Sequence, residues 1–76
     1  MNKTRRKAIS AVLEQIEDLK TSLEELLSDE ETYRDNIPEN LQNGTRYEES
    51  EDAISDMEDA ISNLEDAISA LESITE

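Results

Sequence analysis

Glu51-Asp52-Ala53-Ile54-Ser55-Asp56-Met57, Glu58-Asp59-Ala60-Ile61-Ser62-Asn63-Leu64 and Glu65-Asp66-Ala67-Ile68-Ser69-Ala70-Leu71 are three near-copies of one seven-residue unit. A period of seven is the coiled-coil period, because an apolar residue every three and then four positions keeps one seam of a helix facing a partner. Ile54, Ile61 and Ile68 take heptad position a, and Met57, Leu64 and Leu71 take d. The alanines fall at g and the glutamates Glu58, Glu65 and Glu72 at e.

Working outward, the first half of the chain carries the same period. Ile9, Ile16 and Leu23 occupy a, and Val12, Leu19 and Leu26 occupy d. Leu13 and Leu27 at e widen the apolar stripe, as in a bundle helix rather than a bare two-stranded seam. The only proline and the only glycine lie between the halves. Pro38 disfavours helical geometry at Ile37, Asn36 suits a left-handed helix end, and Asn43-Gly44 signals a turn. Thr45-Arg46-Tyr47-Glu48 has the spacing of a capping box.

These signals predict an all-α chain: an antiparallel two-helix coiled-coil hairpin spanning 1–76 as one unit. Helix 1 is expected at about 4–35, the loop at about 36–45 and helix 2 at about 46–75. In the register where facing residue numbers sum to 80, Ile9 meets Leu71, Val12 meets Ile68, Ile16 meets Leu64 and Leu19 meets Ile61. Leu23 then meets Met57, Leu26 meets Ile54, Glu30 meets Ser50, and Tyr33 meets Tyr47. Every helical layer is apolar except Glu30–Ser50. The basic start of helix 1 (Arg5, Arg6, Lys7) falls beside Glu72 and Glu76 at the end of helix 2, so two charge clusters that oppose their own helix dipoles neutralise each other. Ala53, Ala60, Ala67 and Ile74, with Leu13 and Leu27, fall outside this seam. They predict self-association into a helical bundle, most simply a dimer of hairpins.

Composition narrows the chemistry. There is no Cys, His, Phe or Trp, and 21 acidic residues against 7 basic ones give a net charge of −14. A nucleophile–base pair and a Cys/His metal site are both lacking, so no enzyme activity, metal or cofactor is expected. Glu30, the one carboxylate at a core position, reads as a polar layer. Such charge repels nucleic acid and anionic lipid and favours a basic partner protein. No apolar run approaches the ~18–20 residues of a membrane span, and Glu14, Glu17 and Asp18 interrupt any signal-peptide core. A cytoplasmic protein is the expectation, with Asn2-Lys3-Thr4 and Asn43-Gly44-Thr45 as chance matches to the glycosylation pattern.

Two surfaces are candidate sites. Glu51, Asp52, Glu58, Asp59, Glu65 and Asp66 form an acidic face that suits a basic protein partner by imitating nucleic-acid phosphate, the plainer expectation being a solvated face that keeps the rod soluble. They recur about 10.5 Å apart along a helix, too far to converge on one cation. At the loop end, Tyr33, Arg34, Arg46 and Tyr47 gather both aromatics and two arginines. Rings stack on bases and guanidinium holds phosphate, so a small nucleotide-like ligand is a second candidate. The plainer expectation there is that the tyrosines close the seam, Ile37 and Leu41 cover them, and the arginines pair with Asp35 and Glu48.

Taken together, Thr4-Arg5-Arg6-Lys7, Tyr33-Arg34-Asp35-Asn36-Ile37-Pro38-Glu39-Asn40-Leu41-Gln42 and Arg46-Tyr47-Glu48, followed by acidic heptads, resemble small acidic helical-hairpin proteins of phages and prophages of Gram-positive bacteria. The resemblance brings no functional residue with it. It implies a phage-encoded interaction protein acting in a bacterial cell, for example an inhibitor that occludes or sequesters a host defence factor. An oligomeric binder of a nucleotide-like ligand, or a structural part of a virion or complex, is the alternative.

Overall fold

The computed structural model describes residues 1–76 and contains two long helices joined by a short bend. Helix α1 runs Lys3–Asp35 and α2 runs Thr45–Thr75, with a single 3-10 turn, Glu39–Leu41, between them. They fold back side by side as an antiparallel hairpin, a rod of 59 × 14 × 14 Å. At about 1.5 Å per residue, either helix alone nearly spans that length. No helix is long and apolar enough to cross a membrane.

The ends of the helices differ from the sequence reading in three places. Asn2 caps α1: its side-chain oxygen accepts from the Arg5 backbone N–H at 2.7 Å, satisfying one of the amides a helix start leaves unpaired. Asn36 does not turn left-handed. It stays right-handed at φ −87°, ψ −4°, and α1 closes through Asn36 N–H to the Thr32 carbonyl and Ile37 N–H to the Arg34 carbonyl. The Thr45–Glu48 capping box does not form. Gly44, extended at φ −86°, ψ 168°, is the cap residue, and the Glu48 N–H bonds the Gly44 carbonyl at 3.2 Å. The helix thus starts one residue early, and Thr45 lies inside its first turn, where its hydroxyl no longer sits at the cap.

The bend is held by its own backbone. Leu41 N–H bonds the Pro38 carbonyl at 2.8 Å, and Gly44 N–H bonds the Leu41 carbonyl at 3.0 Å. Ile37 is buried under this turn, while Leu41 remains exposed. Of the two residues expected to cover the loop end, only Ile37 does so.

Ser50, Ile54 and Ile61 of α2 are the buried residues of the helix pair. The register matches the expected one at its polar layer, where the Ser50 hydroxyl donates to the Glu30 carboxylate at 2.5 Å. Helix α1, however, is turned about its axis relative to the expectation. The residues it half-buries are Ile9, Leu13, Ile16, Lys20, Leu23, Leu27, Glu30 and Arg34, which are its a and e columns. Val12, Leu19 and Leu26, expected in the core at d, are instead exposed at 48%, 62% and 57%.

The reason lies in α1 carrying apolar residues at a, d and e, while a single partner helix covers only two columns. Turning e inward brings Lys20 and Arg34 alongside α2, which has no basic residue after Arg46. Their aliphatic stems pack on the seam while their heads meet carboxylates. Lys20 Nζ lies 4.0 Å from Glu65 Oε2. The Arg34 head instead bonds its neighbour Asp35, with the Glu51 charge a weaker contribution. On α2, the a and d columns face the seam, with Met57, Leu64, Ile68 and Leu71 half-buried, and the small alanines of g lie half-buried at its edge.

Candidate protein-interaction surface

The hairpin has two unlike flanks, and they follow from which columns meet. Because Lys20 pairs with Glu65, the e columns of both helices share one flank. The d column of α1 and the g column of α2 therefore share the other.

On the e flank, Leu13, Lys20, Leu27 and Arg34 run alongside Glu72, Glu65, Glu58 and Glu51. Arg34 Nε donates to Asp35 Oδ1 at 3.2 Å. This bond, above all, holds the guanidinium above the ordinary arginine value; partial desolvation opposes it, and the charges of Asp35, Tyr47 and Glu51 reinforce it. The sign is simple. A raised folded-state value keeps Arg34 charged, and its contribution intact, until the pH climbs beyond the ordinary arginine range.

The acidic residues singled out from sequence separate into two columns. Glu51, Glu58 and Glu65 lie at e, beside α1, and Lys20 partly offsets them. Asp52, Asp59 and Asp66 lie at f, on the side of α2 away from α1. All six are exposed. No group of three or more acidic side chains comes together as a metal site.

The four loop-end residues divide by exposure. Arg34 at e and Tyr47 at a are half-buried, whereas Tyr33 at d and Arg46 at g are exposed. The expected Tyr33–Tyr47 layer does not close, because the turn of α1 leaves Tyr33 40% exposed. No pocket opens on the surface.

What the sequence reading missed is an apolar column on the outside of the molecule. Val12, Leu19, Leu26 and Tyr33 stand at heptad spacing along the exposed side of α1. The alanines Ala53, Ala60 and Ala67 run beside them on α2. The signal was present in the three apolar columns of α1, since a hairpin has room for two.

Compared with protein-family models, with curated proteins and with solved structures, the chain matches none. The fold defines it as an acidic helical hairpin of the coiled-coil kind.

Proposed function

We propose that this chain is a non-catalytic interaction protein whose acidic rod occupies the basic surface of another protein. The observation that carries the reading is the outer side of α2. Asp52, Asp59 and Asp66 project from it in one exposed column, next to the e-column glutamates, and no cation follows Arg46 to compensate them. A helix with ten acidic residues and one basic residue generates a negative potential along its whole length. That potential accelerates and orients docking to a positively charged surface, especially one built to receive nucleic acid. The resemblance to phage proteins agrees with such a partner being a host defence factor inside a bacterial cell, the complex blocking it by occlusion.

A nucleotide-like ligand at the loop end has less support, because Tyr33 and Arg46 are exposed while Arg34 and Tyr47 are half-buried, and no pocket opens among them.

The test is capture from bacterial lysate on the immobilised chain, followed by competition. A true partner is basic, elutes as salt rises, is displaced by duplex DNA, and is lost on the triple change Asp52→Lys, Asp59→Lys, Asp66→Lys. Retention by that variant, or indifference to both salt and DNA, refutes the reading.

A further inference from the structure

We infer that the Val12–Leu19–Leu26 face of the hairpin is covered by a second copy of this chain, two hairpins packing lengthwise with both loops at the same end.

A chain of 8.6 kDa exposes 5721 Å², against about 4,700 Å² for a typical globular monomer of that mass. The excess, about 1,000 Å², is comparable to the ~800 Å² per partner that a stable interface buries. One side of a rod of 59 × 14 Å supplies that area. The small core points the same way. No side chain is fully buried, and chains of this size commonly secure their fold by oligomerising. Covering such a face stabilises so small a fold, and the chain's own copy is the partner always present with it.

Val12, Leu19 and Leu26 on α1 stand level with Ala67, Ala60 and Ala53 on α2, each pair of numbers summing to 79, one residue from the Glu30–Ser50 layer at 80. A two-fold axis along the rod preserves these levels and lays the α1 of each copy over the α2 of the other. Every large side chain of the ridge then faces an alanine of the partner copy, twice over, which is how interdigitating layers fill space. At the next level Tyr33 faces the other copy's Arg46, ring against guanidinium.

Charge selects the orientation. Helix α1 carries nine acidic and six basic residues, net −3, whereas α2 carries ten and one, net −9. Turning one hairpin end for end would stack α2 on α2 and α1 on α1. With the loops together, each α2 touches only α1 helices, and the two most acidic helices lie on a diagonal. The basic first turns of α1 then also reach Glu72 and Glu76 of the other copy. The outward column of Asp52, Asp59 and Asp66 stays free, so this assembly and the docking to a basic protein stand or fall separately.

Sedimentation equilibrium on the full chain at micromolar concentration is expected to give twice 8.6 kDa. A spin label on Asn43→Cys at the loop should then report a label separation below about 30 Å, set by bundle spacings of ~8–10 Å between helix axes plus the label arms. A folded monomer, a larger oligomer, or a dimer whose labels are separated by nearly the 59 Å rod length overturns the inference. Both measurements use the native ridge, so neither depends on a core variant folding. Leu19→Glu with Leu26→Glu, which changes only residues exposed on the single hairpin, should reduce the mass to one chain; a persistent dimer counts against this face.

Discussion

Ser50 donates its hydroxyl to Glu30 across the helix pair at 2.5 Å, and this is the only side-chain hydrogen bond that joins α1 to α2. Ser50 is buried and Glu30 half-buried, so the bond ties the two helices together across the seam. A polar pair in such a position helps fix register, since a heptad slip either way would set Ser50 against an apolar residue, Ile37 or Leu23.

Removing half of the pair should therefore cost stability, and removing both halves should not. Ser50→Ala is expected to lower the unfolding free energy by about 1 kcal/mol, the usual worth of one hydrogen bond in a site that water partly reaches. Glu30→Leu combined with Ser50→Ala should recover that loss or exceed it. Urea titrations of the three chains decide the matter; a double variant weaker than Ser50→Ala alone would show that the layer does more than set register.

The rotation of α1 makes neighbouring leucines unequal. Leu27 faces the seam while Leu26 faces out at 57% exposure. At concentrations dilute enough to populate single hairpins, Leu27→Ala should destabilise more than Leu26→Ala by at least about 1 kcal/mol. Ile61→Ala, at one of the two buried isoleucines of α2, should cost about 2–5 kcal/mol, enough to unfold so small a chain. Equal losses at Leu26 and Leu27 would return α1 to the a/d orientation.

Lys20 offers a charge test of the same geometry. Its link to Glu65 is long, at 4.0 Å, and Glu65 is largely solvated, so the pair contributes about 0–1 kcal/mol. Lys20→Met keeps the stem that packs on the seam and should leave stability within that range. Lys20→Glu sets like charges side by side on the e flank and should lower the melting temperature, with most of the loss recovered as salt is raised. A salt-independent loss would place the damage in packing instead.

At the helix start, Asn2→Ala removes the oxygen that receives the Arg5 N–H. The expected cost is about 1 kcal/mol, localised as faster amide exchange in the first turn of α1. Exchange that is unchanged there would mean the cap is dispensable beside the helix's own hydrogen bonds.

Net charge gives a global expectation. With −14 spread over one slender rod, self-repulsion opposes compactness, so the melting temperature should rise between about 0.01 M and 1 M monovalent salt, as the Debye length falls from ~30 Å to ~3 Å. A fall over that interval would mean that attractive pairs such as Lys20–Glu65 outweigh the repulsion.

Residue spacing alone made the hairpin and its register legible, because Ile54, Ile61 and Ile68 repeat without interruption and Pro38 with Gly44 can only mark a bend. The same spacing could not say which way α1 faces. Its d column (Val12, Leu19, Leu26) and its e column (Leu13, Lys20, Leu27) compete for the seam, and apolar counting favours d. The seam takes e, which brings Lys20 alongside the acidic α2, and residue spacing alone does not distinguish the two columns. The helix ends failed for a local reason. Thr45–Glu48 has the letters of a capping box, but an extended Gly44 supplies a carbonyl one residue earlier. At the loop end the rotation turns Arg34 toward the seam and leaves Tyr33 exposed, an exchange that spacing alone does not reveal.

The ladder of Leu13, Lys20, Leu27 and Arg34 against Glu72, Glu65, Glu58 and Glu51 constrains how such a molecule changes size. Duplicating Glu58–Leu64 by itself would give one arm two turns with nothing opposite them and carry every rung beyond the insertion out of alignment. Growth or shrinkage has to come in matched seven-residue steps on both arms, which makes the reach of the rod a quantity that evolution can only adjust in jumps of about 10.5 Å.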